Sequence, residues 1–188
     1  MSESTPVTNP AFATTKPSES GSARPKAYAI GPDSEAVAAH LFPDFEVVVC
    51  DGMPSEPAER VLLNGVLQYM TFSAALAVLG RAAELVKPGG ELHVIVPSVD
   101  WAIRELIKPH PSPAATFILW GKQYQGEDLY HSGWTISHLR TYVTNAGCVV
   151  REAKALDAYW TLLGPDGREE EAPVKLNYVV GVKNVPAP

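Results

Sequence analysis

The strongest constraint on this chain is an alternation of near-continuous apolar runs with stretches of helical period. Phe45–Cys50, Val61–Leu63 and Leu92–Val96 are the apolar runs. Such runs predict strands buried on both faces, as in a parallel sheet. Between the second and third, Phe72, Leu76, Leu79, Ala83 and Val86 recur at steps of four, three, four and three, the mark of an amphipathic helix. Lys87-Pro88-Gly89-Gly90 is its stop signal. Strand–helix alternation of this kind predicts an α/β domain with a mostly parallel sheet and helices on both faces.

The remaining elements fit that frame. Lys26–Gly31 reads as a first strand stopped by glycine, and Pro32-Asp33-Ser34-Glu35 opens a helix to about Leu41, with proline and acids at its positive end. Val99–Ile107 and Ala114–Trp120 read as helices separated by Pro109, Pro111 and Pro113. Thr135 is the expected cap of a helix that Gly147 ends. Cys148–Leu156 and Lys175–Lys183 are predicted as two closing strands, and the acidic run Glu169–Glu171 between them as a solvated loop after the Gly164–Gly167 turn.

Residues 1–26 break the pattern. Ser, Thr and Pro dominate, and Phe12 is the one aromatic residue, so this arm cannot offset its ordering entropy alone. We expect it to be disordered or held by a protein partner, with residues 27–188 forming one domain. The net charge of −6, with Lys and Arg scattered, argues against nucleic-acid binding. No apolar stretch approaches bilayer-spanning length, and no signal-like h-region precedes the fold, so a cytoplasmic, reducing setting is expected. Cys50 and Cys148 read as buried small hydrophobes. His40, His110 and His138 lack metal-ligand spacing, His93 lies inside a strand, and neither a nucleophile elbow around Ser132 nor a phosphate loop is present.

Two blocks carry a family resemblance. Val61–Pro97, through its Lys-Pro-Gly-Gly turn, resembles the fourth strand, helix and fifth strand of class I S-adenosylmethionine-dependent methyltransferases. Gly121-Lys122-Gln123, His131-Ser132-Gly133-Trp134-Thr135 and Ala146-Gly147-Cys148 resemble a downstream block of the same family. The resemblance implies a Rossmann-like sheet of seven strands, the last antiparallel, with ligands at the carboxyl ends of the strands.

It also implies a cofactor site that is eroded here. The family's glycine-rich loop survives only as Gly31, followed by Pro32, which has no N–H to offer. The strand ending in a ribose-binding acid is either deleted or replaced by Phe45–Cys50. Asp51 is therefore an adenine-side acid, a ribose acid, or a simple turn aspartate. Where the family shows Leu-Glu-His-Leu, this chain has Leu67-Gln68-Tyr69-Met70, without a base at neutral pH. Asn64 is either a pocket residue or a turn residue, and Gln68 retains hydrogen-bonding capacity. His131, in a loop beside Tyr130 and Trp134, is the surviving catalytic candidate, against a purely structural role for the same loop.

Two functions follow from these expectations. One is a non-catalytic, methyltransferase-like subunit of a larger assembly, such as a viral particle, that docks through residues 1–26 and has lost its cofactor. The other is a methyltransferase with a shortened site, in which Gly31, Asp51, Asn64, Gln68 and His131 surround S-adenosylmethionine and an acceptor.

Overall fold

The computed structural model describes residues 24–121, 130–163 and 168–185. Residues 1–23 of the arm, Lys122-Gln123 and the Gly164–Gly167 turn lie outside the described residues.

Six strands form one sheet in the order β2-β1-β3-β4-β6-β5: β1 Lys26–Ile30, β2 Glu46–Cys50, β3 Ala58–Asn64, β4 Val86–Pro97, β5 Cys148–Leu163 and β6 Glu169–Lys183. The first four run parallel, and β6 lies antiparallel to both its neighbours, β4 and β5. The expected mixed sheet with an antiparallel last strand is therefore present, with six strands among the described residues.

The central strands alternate faithfully. Tyr28, Ile30, Val61, Leu63, Leu92, Val94 and Val96 enter one core, while Ala27, Ala29, Leu62 and Ile95 enter the other. Helix α2 (Phe72–Leu85) covers the first face with Ala75, Leu79, Ala82 and Ala83, joined by Leu139 and Val143 of α5 (Ile136–Asn145). Helix α1 (Ser34–Leu41) covers the other face, with Ala38 and the following Phe42 buried. Helices α3 (Val99–Leu106) and α4 (Pro113–Trp120) pack a third core against Leu162, Ala172 and Val174, where the β5–β6 ribbon runs past the rest of the sheet.

Three sequence expectations need correction. The Phe45–Cys50 run is not buried on both faces: β2 is an edge strand paired only to β1, and Val49 is 48% exposed. Its apolar residues cover the sides of the two cores rather than fill their centre. Glu169–Glu171 is strand, not loop, paired register by register with Thr161–Leu163. Backbone pairing along a long two-stranded ribbon leaves side chains in solvent, so acids are tolerated there. Lys87–Gly90 does turn, but inside the β4 span: Ala58 faces Val86 and Arg60 faces Glu91, so the four residues bulge from the ladder, with Gly89 at φ 77°.

The start of α5 follows the expected chemistry, whereas α1 begins at Ser34, after Pro32, and its N-cap Asp33 makes no capping hydrogen bond. Thr135 accepts a hydrogen bond from the His138 N–H at 3.1 Å. Thr135→Ala is expected to cost about 1 kcal/mol, measured by urea denaturation. An unchanged midpoint would mean the cap contributes nothing.

Candidate functional site

The carboxyl ends of β1, β2, β3 and β4 meet at one edge of the sheet, where open α/β folds place their ligands. The loop leaving β1 lies directly on the loop leaving β3. Asn64 Nδ2 donates to the Pro32 carbonyl oxygen at 2.6 Å. Gly31 adopts φ 116°, and a Cβ there would stand 1.9 Å from the Asn64 carbonyl oxygen. Only glycine permits that approach. The close contact is chain against chain: β3 backbone stands where a side chain of residue 31 would, while Gly31 also borders an open cleft.

This clasp separates two clefts. The smaller, about 390 Å³, is lined by Gly31, Asp51, Gly52, Met53, Val66 and Met70, together with parts of β1, β2 and α2. Its walls are mostly apolar, and Asp51 is exposed where β2 ends. Cys50 also lines it, half-buried; burial first, and then the neighbouring Asp51 charge, push its thiol up, so it stays protonated.

The larger cleft, about 520 Å³, takes Asn64 and Gln68 from the β3 side, Asp33 from the start of α1, Tyr69 and Tyr130, and Tyr159 and Trp160 from the ribbon. Gln68 is 4% exposed; its Nε2 donates to the Gly65 carbonyl oxygen at 2.7 Å, and its Oε1 is buried without a partner. Tyr69 and Tyr130 meet edge to face, ring centres 5.1 Å apart.

The five residues singled out from sequence are thus divided. Gly31 and Asp51 border the first cleft; Asn64 and Gln68 border the second. His131 is exposed and lines neither, and its loop is tied down through its backbone. The N–H groups of His131 and Ser132 both donate to the Gln68 carbonyl oxygen, at 2.8 and 3.3 Å. Ser132 Oγ donates to the Leu67 carbonyl oxygen at 2.8 Å and accepts from Trp134 Nε1 at 3.0 Å. Trp134 is 1% exposed and stacks on Phe72. Gly133 leaves no room for a side chain, since a Cβ would stand 2.9 Å from Val99 Cγ2. Such a loop is held through its backbone and leads into the start of α5.

Sequence reasoning missed Asp33, Tyr159 and Trp160 as site residues. Asp33 reads as a helix opener, but its side chain makes no capping hydrogen bond, and its backbone sits at φ 53°. The Tyr159-Trp160 pair lies past the predicted end of its strand, and no spacing rule links it to β1. Among the described residues, no group of His, Cys, Asp and Glu side chains could hold a metal ion, and no helix is long and apolar enough to cross a membrane.

A second polar cluster lies at the opposite end of the parallel strands. His93, 4% exposed, bonds through Nδ1 to Tyr178 Oη at 2.7 Å and through Nε2 to Glu91 Oε2 at 3.0 Å. Glu91 also pairs with Arg60 at 3.1 Å and with Arg151. Burial pulls the imidazole down to about 4 against the raising influence of Glu91. Burial pushes Glu91 up, but its hydrogen bonds from Arg151 and His93 and the Arg60 charge outweigh that and hold it below the usual range. Burial, with Glu152 and Glu91, pushes the Tyr178 phenol up to about 12. His93 lies inside a buried strand, as expected from sequence.

No family model and no curated protein matches the chain. Solved structures do. A candidate methyltransferase from Bacillus halodurans superposes with a TM-score of 0.56 at 12% identity, covering 87% of this chain and 94% of that one. The complex between the Haloferax volcanii Trm112 methyltransferase activator and a candidate methyltransferase matches with a TM-score of 0.57 at 12% identity, covering 88% of this chain and 85% of that one. TnmH matches with a TM-score of 0.57 at 18% identity, covering 86% of this chain and 50% of that one. At such identities the likeness is one of fold. The chain has the Rossmann-like fold of the class I methyltransferases.

Proposed function

We propose that this chain is a methyltransferase-fold protein that no longer transfers methyl groups and works as a subunit of a larger assembly, docking through residues 1–26. The observation that carries this reading is the clasp. Methyltransferases hold their cofactor by close approach of a glycine loop after the first strand. Here the one remaining glycine has the Asn64 carbonyl oxygen where a side chain would stand, and Pro32 after it brings no N–H donor. One glycine packed on β3 and followed by proline is a poor cradle for the amino-acid end of S-adenosylmethionine, and this argues that the residues present do not fit the whole cofactor. The absence of an aligned base near Gln68 and Tyr69 points the same way. A Trm112 activator bound to a protein of this fold is a precedent for partnership on the same scaffold.

Calorimetric titration with S-adenosylmethionine and its demethylated product is the test. No heat at about 1 mM ligand is expected; binding at about 1 μM, near −8 kcal/mol, would sink the reading. Protection of residues 1–26 from protease only within a purified assembly is the matching result for the arm.

One observation favours a second reading. The smaller cleft has apolar walls and a carboxylate, Asp51, at the end of the strand beside β1. That arrangement suits a base and a ribose, with Asp51 in the ribose role rather than the adenine role. In this reading the chain is a methyltransferase with a shortened site, with Gly31 and Asp51 on the nucleoside and Asn64 and Gln68 in the neighbouring cleft; His131 lines neither. Asp51→Asn would then weaken cofactor binding measured by the same titration.

A further inference from the structure

The larger cleft has a chemistry of its own that does not depend on the cofactor. About 520 Å³ is room for a small organic molecule. Tyr69, Tyr130, Tyr159 and Trp160 bring four aromatic side chains to it from three separate parts of the chain. No Lys, Arg or His side chain lines it among the described residues.

Its polar groups lean one way, toward accepting. The Asp33 carboxylate makes no hydrogen bond or ion pair among the described residues, although it stands at the start of α1, where an aspartate ordinarily caps. Asn64 uses its Nδ2 on the Pro32 carbonyl oxygen, which leaves Oδ1 as an acceptor. Gln68 uses its Nε2 on Gly65 and leaves Oε1 buried without a donor. A cleft of π faces and unpaired acceptors, carrying a carboxylate with no cation beside it among the described residues, is complementary to a positive, donor-rich ligand.

We propose that this cleft binds a small organic cation, an aromatic ring bearing an ammonium arm, with the ring among Tyr69, Tyr130, Tyr159 and Trp160 and the ammonium group toward Asp33. The ammonium donates to the Asp33 carboxylate and the neighbouring amide oxygens, and its charge is also attracted to the ring faces. Asp33 sits at φ 53°, a conformation asparagine tolerates well, so Asp33→Asn removes the charge and keeps the backbone.

The test uses the full chain without S-adenosylmethionine and reads tryptophan fluorescence and calorimetry. Phenethylamine is the probe, and 2-phenylethanol is its uncharged counterpart of nearly the same shape. Phenethylamine is expected to bind at least about tenfold more tightly than 2-phenylethanol, a preference that Asp33→Asn abolishes. Asp44→Asn, a charge change at the amino-end side of β2, leaves that preference intact. Equal affinity for the two probes, no binding of either at about 10 mM, or an unaltered preference in Asp33→Asn would each overturn the proposal. Tyr69→Leu is the second variant; it weakens both probes if the ring wall is used, and unchanged binding of both contradicts the placement. None of these outcomes bears on whether the smaller cleft holds S-adenosylmethionine, so the two readings fail separately.

Discussion

Gly31→Ala is expected to destabilise the protein by about 3 kcal/mol or more, near 10 °C in melting temperature for a domain of this size. Two penalties combine. A side chain at φ 116° is strained, and the new Cβ would lie 1.9 Å from the Asn64 carbonyl oxygen, closer than any contact allows. Relief requires β1 and β3 to separate at Ile30 and Leu63, which are paired in the sheet, or the Asn64–Pro32 hydrogen bond to break. Gly52→Ala is the control, because a Cβ there meets nothing within 4 Å; its effect is expected within about 0.5 kcal/mol. Equal stability of the two variants would show that the clasp does not form. The result also bears on function, since a glycine retained for a ligand would cost affinity when substituted, and one retained for packing costs stability.

Acidification is expected to remove about 3 kcal/mol through His93 alone between pH 6.5 and pH 4. The sign follows from which state holds the proton. Unfolded, the imidazole titrates near its ordinary value of 6.5; folded, burial pulls it down to about 4. The unfolded chain therefore binds the proton first, and stability present above pH 6.5 is lost as pH falls through 4. Glu91, held below its ordinary range by Arg151, His93 and Arg60, adds a loss in the same direction below about pH 4.5. Urea midpoints at several pH values measure this. A His93→Gln variant, which cannot titrate, has a flatter profile between pH 6.5 and 4. Parallel profiles for the two proteins would show that His93 is not held neutral by the fold.

Much of the architecture was legible because it is written in local patterns. The helical steps from Phe72 to Ala83 became α2, capped by Thr71, while Val86, read as their last step, opens β4. The Thr135 cap and the Gly147 stop bracket α5 as read. His93 was correctly placed as a strand residue, because its neighbours Val94, Ile95 and Val96 leave no other assignment. The edge position of β2 was not legible: an apolar run says that a strand is covered, not by how many neighbours. The extent of the β5–β6 ribbon was hidden for a related reason, since the acids Glu169–Glu171 are paired through their backbones, which carry no side-chain signal.

The candidate site divides along the same line. The family resemblance carried by the sequence implied an eroded glycine loop, a lost acid–imidazole pair and the short list Gly31, Asp51, Asn64, Gln68 and His131. Tertiary structure decided what each one touches. It put the Asn64 carbonyl where a side chain of residue 31 would stand, tied the backbone of His131 to Gln68, and brought Asp33, Tyr159 and Trp160 to one cleft. Spacing reports on neighbours within a helix or a strand. Contact between the β1 loop and a distant ribbon is set by how the sheet packs and twists, and a linear sequence does not carry that information locally.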